Sequence, residues 1–239
     1  KRVLMVDLDP SGNLTRRTAV RGVENAVTLS EVLAANVKGG AEAAIYPCGW
    51  DSPDAPLISV IPAELSLQDR DKEASQPGSH NRLARVLYGV TDAYDFTLYD
   101  TRPTLAHLEQ MVVRSLDGDG DGYYVVVEPG ADAIGGAYRL TQEVAGWSDA
   151  MEVGAPALGV IVNLHDGRFV SHQGRTEGLT ESMTPPDGSA APPVLEPYLP
   201  RAVRIAEVQD LAEPSTGDAR LIREGHLARF DALAAVIDW

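Results

Sequence analysis

The amino-acid sequence predicts an α/β fold: a doubly wound, mostly parallel sheet with helices on both faces. Short, nearly uninterrupted apolar runs recur along the chain, as is typical of strands that are buried on both faces. Stretches with helical periodicity lie between these runs, and this alternation requires right-handed crossovers between parallel strands. The length of 239 residues and the hydrophobic content of 44% are sufficient for a sizeable core. We therefore expect a single domain over residues 1–239.

The strands are predicted from the apolar runs. The first run leads directly into acidic residues, and the last run is the weakest of the series. In chain order the predicted strands are Val3–Val6, Leu57–Ile61, Phe96–Tyr99, Tyr123–Val127, Leu158–Val162 and Val194–Leu199.

The helices are predicted from capping and from apolar periodicity. Thr28-Leu-Ser-Glu31 is a capping-box pattern that opens a helix toward Ala35. A segment rich in Pro, Gly, Ser and Ala, Thr184–Pro193, is predicted to be a surface loop. Further helices are predicted over Asn81–Tyr94, Thr104–Leu116, Ala131–Trp147 and Gly225–Ile237.

The charge balance and the cysteine content exclude several classes of protein. Lys+Arg 20 against Asp+Glu 35 gives a net charge of −15, so only a local basic patch could hold nucleic acid or anionic lipid. Cys48 is the only cysteine, which excludes an intrachain disulfide and a CxxC zinc site. No apolar run approaches the roughly 18 residues of a membrane span. We expect a cytoplasmic protein that does not bind membranes.

Polar side chains follow three of the predicted strands. Asp7 and Asp9 follow the first strand, Asp100 follows Phe96–Tyr99, and Asn163 follows Leu158–Val162. Ligands of open α/β sheets bind outside the carboxyl ends of the strands, so these side chains are candidates for one site. Carboxylates at one edge repel each other unless a cation lies among them, and Mg²⁺ with substrate phosphates is the usual solution in nucleotide enzymes.

Two segments carry a family resemblance. Residues 1–15, Lys1-Arg-Val-Leu-Met-Val-Asp-Leu-Asp-Pro-Ser-Gly-Asn-Leu-Thr15, are similar to the KRVLLVDLDPQGNAT segment of ParA-type partition ATPases. Residues 94–105, Tyr94-Asp-Phe-Thr-Leu-Tyr-Asp-Thr-Arg-Pro-Thr-Leu105, resemble their Walker B strand and the following loop. Less specific similarities follow at Ala131–Val144, Leu199–Ile205 and Glu213–Gly217, in the same order as in the family.

The resemblance implies a deviant Walker ATPase of the ParA/Soj/MinD superfamily, with a P-loop NTPase-like fold. Such a protein binds ATP and Mg²⁺ in a homodimer that binds DNA without sequence preference, on the nucleoid. A ParB-like centromere-binding protein stimulates hydrolysis, and the cycle serves plasmid or chromosome segregation. Two alternatives remain open: a regulatory ParA-like module that does not hydrolyse ATP, and a MinD-like ATPase that positions cargo with little affinity for DNA.

Residue roles follow from the resemblance by position. Asp9 matches the acid that positions the attacking water, and Asp100 matches the Walker B acid that acts on Mg²⁺. Asp7 matches a neighbouring acid of the same strand, and it is a further candidate for the metal site. Asn163 and Pro200 match positions that line the adenine.

The comparison with the family also concerns three arginines, one of which departs from the usual family residue. Arg168 and Arg204 match basic positions that contact DNA in some family members. Arg102 stands where the family usually has proline, in the loop that senses the γ-phosphate. Its charge either lies near the site or faces solvent, and the sequence favours neither.

The family's phosphate-binding loop, KGGVGKT, does not occur in the sequence. Lys38-Gly39-Gly40 matches the first three residues of this loop, but Ala41-Glu42 follows. The segment also comes after a predicted helix rather than after a strand. Three explanations compete: a chain that lacks the first strand and helix, a loop supplied by another segment or chain, or a degenerate relative. We favour the first, because the acids of the site are retained. We expect the 239-residue polypeptide alone to bind ATP weakly or not at all.

Overall fold

The structure of the chain is a computed structural model. The contacts divide the described residues into two compact units. Unit 1 contains those of Lys1–Ser115, and unit 2 contains those of Leu116–Val208 and Ala219–Trp239. The single-domain organisation stays a prediction. The structure describes residues 1–20, 26–130, 133–166, 168, 178–184, 190–201 and 224–237.

Unit 1 is built on a four-stranded sheet with the strand order β2-β3-β1-β4. The central strand β1 is parallel to both β3 and β4, whereas β2 at the edge is antiparallel to β3. The strands are β1 (Val3–Asp7), β2 (Tyr46–Pro47), β3 (Ile58–Ile61) and β4 (Phe96–Asp100). The parallel pairing brings the carboxyl ends of β1, β3 and β4 to one edge of the sheet.

The helices of unit 1 begin and end where local signals place them. The Thr28 N–H donates to the Glu31 carboxylate at 2.8 Å, which confirms the predicted capping box. The predicted helix over Asn81–Tyr94 is wrong in its extent, because the helix ends before Gly89, whose positive φ of 76° breaks it. The helices are α1 (Asn13–Arg17), α2 (Leu29–Ala35), α3 (Arg82–Leu87) and α4 (His107–Ser115).

The core of unit 1 lies between these helices and the sheet. Side chains of β1 and β3 pack there with the buried faces of α2, α3 and α4. Its fully buried large side chains are Leu4, Val6, Leu8, Leu29, Leu33, Ile61, Leu67, Leu83, Leu108 and Met111. This burial fixes the strand ends that carry the polar residues described below.

Unit 2 contains a three-stranded parallel sheet with the order β5-β6-β7. Its core comprises Val125, Val127, Val160 and Val162, together with residues of the flanking helices. The strands are β5 (Tyr123–Val127), β6 (Ala157–Val162) and β7 (Val194–Leu195). The helices are α5 (Ala133–Met151), α6 (Leu179–Ser182) and α7 (Glu224–Val236).

All six predicted strands are present, and the predicted α/β class with parallel pairing is confirmed. The apolar pattern of the sequence did not indicate β2, because this strand has only two residues and includes a proline. Residues 185–189 of the predicted loop Thr184–Pro193 lie outside the described residues, and the remainder of that loop is neither helix nor strand. In the described parts of the chain, no helix combines the length and the apolar character needed to cross a bilayer.

Candidate functional site

Three aspartates lie at the carboxyl edge of the unit 1 sheet. Asp7 ends β1, Asp100 ends β4, and the two residues are direct partners in the register of the parallel pair. The Leu8 N–H donates to the Asp100 carbonyl at 2.9 Å, which extends the pairing by one residue beyond β1. Asp9 follows directly. The pairing of β1 with β4 therefore gathers three predicted site residues at one edge.

Asp7 is fully buried, and both of its carboxylate oxygens accept hydrogen bonds. Oδ2 accepts from the Thr15 N–H at 2.8 Å and from the Thr15 hydroxyl at 2.7 Å, and Oδ1 accepts from the Asp9 N–H at 3.1 Å. Burial raises the pKa of Asp7, the charge of Asp9 adds to this, and the hydrogen bonds from Thr15 oppose it. Asp7 thus has little capacity left for a further ligand.

Thr15 links three parts of the site. Its hydroxyl donates to Asp7 and accepts from the Ala63 N–H at 3.0 Å, just beyond the end of β3. Thr15 is itself buried on the short helix α1. Thr15 had no predicted role, because a threonine at the end of the family-like segment gives no signal of the carboxylate and the amide that it contacts.

Asp9 is held at the sheet edge by a tight loop. Its Oδ1 accepts from the Ser11 N–H at 2.8 Å, and the Gly12 N–H donates to the Asp9 carbonyl at 2.8 Å. Gly12 has a positive φ of 63°, and a Cβ there would lie 3.2 Å from the Ala63 carbonyl oxygen. Among the described residues, no hydrogen bond to Asp9 Oδ2 is present. That oxygen is available to accept from a ligand or from water.

The carboxyl group of Asp100 is perturbed by its surroundings. Desolvation at the strand end, followed by the negative charges of Asp7 and Asp9, raises the pKa of Asp100, and the charge of Arg17 opposes the shift. The residue as a whole is exposed, so water still reaches this edge. The repulsion among the acids would be relieved by a bound cation.

The donor set fits a magnesium ion that is only partly coordinated by protein. Within the described ranges, no group of three or more His, Cys, Asp or Glu side chains could enclose a metal ion. Mg²⁺ in nucleotide enzymes keeps several waters and is held by one or two carboxylates plus substrate phosphates. Asp100, a partly desolvated carboxylate in an exposed residue beside two further acids, matches that kind of site.

Arg102 does not face solvent, because its side chain is only 17% exposed and is ion-paired, so that alternative from the sequence is wrong. The other alternative, that its charge lies near the site, stays a prediction. Its guanidinium pairs with Asp71 (Nη1 to Oδ2, 2.9 Å) and with Glu109 (Nε to Oε1, 3.1 Å). Burial lowers the pKa of Arg102, but the hydrogen bonds to Asp71 and Glu109 outweigh it and raise the pKa. The sequence could not reveal this, because Asp71 lies 31 residues away in the chain.

The two predicted adenine-lining residues lie together in unit 2. Asn163 follows β6, its N–H donates to the Val127 carbonyl at 2.8 Å, and its Oδ1 accepts from the Leu164 N–H at 2.9 Å. Pro200 is bridged to His165 in a parallel arrangement. Both residues therefore lie at the carboxyl edge of the unit 2 sheet.

Of the two arginines that were predicted to contact DNA, the structure describes only Arg168. Arg168 pairs with the buried Asp166 (Nη2 to Oδ2, 2.6 Å), and its own side chain is 85% exposed. Its positive charge is thus partly compensated within the protein. Arg204 lies outside the described residues.

The comparisons with known proteins agree with this architecture. Residues 1–152 match the family AAA_31, an AAA domain. The chain is 26% identical to the uncharacterized protein Rv1708 of Mycobacterium tuberculosis over 90% of this chain and 63% of that protein. It is 32% identical to a probable plasmid-partitioning protein ParA of Thermus thermophilus over 59% of this chain and 41% of that protein. The chain thus spans about 63% of the length of Rv1708.

Solved structures share the fold. Apo McdA from Cyanothece superposes with a TM-score of 0.76 at 16% identity, covering 99% of this chain and 87% of McdA. Cobyrinic acid a,c-diamide synthase from Mycobacterium smegmatis, solved with an ATP analog and magnesium, has a TM-score of 0.68 at 21% identity, covering 89% and 80%. The family match covers more than half of the chain, and partition proteins are among the relatives. The chain therefore belongs to the AAA_31 family, within the superfamily of ParA-type partition ATPases.

Proposed function

We propose that the protein hydrolyses ATP with Mg²⁺ to drive the segregation of plasmid or chromosomal DNA. The proposal rests on one observation: the three aspartates of unit 1 differ in burial and in hydrogen bonding. Asp7 is buried and accepts three hydrogen bonds, Asp9 has one oxygen engaged by its own loop, and Asp100 is a partly desolvated carboxyl in an exposed residue. A sheet edge that only bound structural cations would not need three carboxylates with such different environments.

Each of the three aspartates would have a different role in phosphoryl transfer to water. Asp9 would orient the attacking water through its second oxygen, because its first is fixed by the Ser11 N–H. Asp100 would hold Mg²⁺, and the bound ion would neutralise the negative charge that spreads over the transferred phosphoryl group. Asp7 would keep Asp9 in place, since it accepts the Asp9 N–H.

A separate assignment, which rests on the family resemblance, concerns two residues of unit 2. The side chain of Asn163 and the ring of Pro200 would line the adenine, because an amide can donate to and accept from a purine edge. The complex of the cobyrinic acid synthase with an ATP analog and magnesium supports a Mg-nucleotide as the ligand proposed for this chain.

The proposed binding of Mg²⁺ by Asp100 can be tested by substitution. We expect Asp100→Asn to increase the Mg²⁺ concentration for half-maximal hydrolysis about tenfold, because a neutral amide holds the metal and its waters less well. ATP hydrolysis by the whole protein is measured against Mg²⁺ concentration. Asp92→Asn, an exposed aspartate ahead of β4, is the control and should behave as wild type. An unchanged Mg²⁺ dependence in Asp100→Asn would show that the metal is held elsewhere.

The cycle would further involve dimers, DNA and a partner protein. We expect an ATP-bound homodimer on non-specific DNA of the nucleoid, in the cytoplasm, and stimulation of hydrolysis by a ParB-like centromere-binding protein. Arg168 and Arg204 would contact the phosphates. The net charge of −15 and the pairing of Arg168 with Asp166 count against strong DNA binding. These two observations favour the second candidate, a MinD-like ATPase that positions cargo.

DNA binding separates these two functions. We expect Arg168→Glu with Arg204→Glu to weaken ATP-dependent DNA binding at least tenfold and to reduce its salt dependence, because fewer counterions are released. Fluorescence anisotropy with duplexes of unrelated sequence, over a series of salt concentrations, measures both effects. Arg139→Glu with Lys72→Glu makes the same charge change at other exposed positions. Equal binding by both variants would remove the two arginines from the interface, and no DNA binding by wild type would favour the cargo-positioning function.

A further inference from the structure

We propose that Arg102 is a positioning residue that orders the loop after β4, residues 101–106, before any nucleotide binds. The loop directly follows Asp100, so its order determines how firmly the metal-binding end of β4 is held. The inference rests on the proposed function of Asp100. The ordering of the loop itself is a property of the free protein, and it can be tested without nucleotide.

The guanidinium group of Arg102 forms ion pairs with two acidic side chains. Arg102 contacts Asp71 through Nη1 (2.9 Å) and Nη2 (3.3 Å), and it contacts Glu109 through Nε (3.1 Å) and Nη2 (3.1 Å). The three side chains are 17%, 25% and 8% exposed, so solvent screens their charges only weakly. The planar fork of arginine suits this double contact, which a lysine could not reproduce.

Both acids also hold the backbone where α4 begins. Asp71 Oδ1 accepts from the Leu108 N–H at 3.1 Å, and Glu109 Oε2 accepts from the Ala106 N–H at 3.1 Å. These amides belong to the first turn of the helix and its approach, where N–H groups lack partners within the helix. Without Arg102, two poorly solvated carboxylates would face each other at this position, and the repulsion would weaken both contacts.

The loop is anchored at its start as well. The Asp100 carbonyl accepts from the Leu8 N–H at 2.9 Å, and only Thr101 separates this anchor from Arg102. Asp100 is therefore tied to β1 on one side and, through Arg102, to Asp71 and Glu109 on the other. A proline at position 102 would restrict the backbone but could not form these ion pairs.

Hydrogen exchange of the nucleotide-free whole protein tests the ordering. We expect Arg102→Met to accelerate exchange of the Ala106 and Leu108 amides at least tenfold, with the β1 amides unchanged. Arg102→Lys should accelerate it at least threefold. Lys72→Met removes an ion pair on the same segment that is largely exposed, and it should leave exchange unchanged. Wild-type protection in Arg102→Met overturns the proposal. If Arg102→Met does not fold, wild-type protection in Arg102→Lys overturns it.

A second measurement separates positioning from a merely structural role. We expect Arg102→Lys to raise the Mg²⁺ concentration for half-maximal hydrolysis at least threefold, while kcat at saturating Mg²⁺ falls less than twofold. A structural role would lower only the fraction of active protein, and therefore kcat alone. A fall in kcat with an unchanged Mg²⁺ dependence would overturn the link to Asp100. If wild type hydrolyses no ATP, the proposed function fails, whereas the exchange result for the loop is still decided.

Discussion

Asp9→Ala should reduce ATP hydrolysis by the whole protein at least 100-fold, while its affinity for Mg-ATP changes less than about threefold. In the folded chain one Asp9 oxygen is occupied by the Ser11 N–H, and the other has no hydrogen bond among the described residues. The second oxygen is the group that we assign to the attacking water. Removal of a group that acts mainly in the transition state lowers kcat by roughly 10²–10³ and leaves binding of the substrate largely intact.

The same substitution should change the pH dependence of nucleotide binding. The charge of Asp9 contributes to raising the pKa of Asp100, so its removal lowers that pKa and shifts the acidic limb of Mg-ATP binding to lower pH. Steady-state hydrolysis and calorimetric binding measure the two effects. Asp54→Ala, at another exposed aspartate, is the control. If wild type and Asp9→Ala are equally inactive with DNA and partner protein present, the protein is instead a regulatory module that does not hydrolyse ATP.

Asp7→Ala should lower the free energy of unfolding by about 3–5 kcal/mol. The substitution leaves the Thr15 hydroxyl and the backbone N–H groups of Thr15 and Asp9 without their acceptor. Asp7→Asn should cost about 1–3 kcal/mol, because one face of the amide presents N–H to a donor. Urea denaturation measures both. Asp69→Ala, whose ion pair with Lys72 is largely exposed, should hardly change stability. A stability of Asp7→Ala close to that of wild type would show that the pairing with Thr15 contributes little.

The contribution of Asp7 to stability should also depend on pH. Burial raises its pKa in the folded chain above the ordinary value of 3.8, so the folded state binds the proton more tightly than the unfolded state. The contribution is therefore complete below the unfolded pKa and declines as pH rises through the folded pKa. We expect the difference in unfolding free energy between wild type and Asp7→Asn to decrease from about pH 4 upward. A difference that grows with pH would contradict the assigned direction.

All the described strands except β2, and most of the helices, could be predicted from the sequence because their signals are local. The runs Val3–Val6 and Phe96–Tyr99 are predominantly apolar, and the capping box at Thr28 is complete within four residues. The positions of Asp7, Asp9 and Asp100 follow from the same runs, since parallel strands end at one edge. Their different environments could not be predicted, because burial depends on what packs against each strand end.

The sequence by itself determined the α/β class, every described strand except β2, and the gathering of the unit 1 acids at one edge. Only the tertiary structure decided which partners these residues have. Thr15 joins Asp7 to Ala63 across 48 residues, and Arg102 joins Asp71 across 31 residues. Contacts across such separations leave no periodic pattern, because they arise when the packing of the sheet and the helices brings distant segments together.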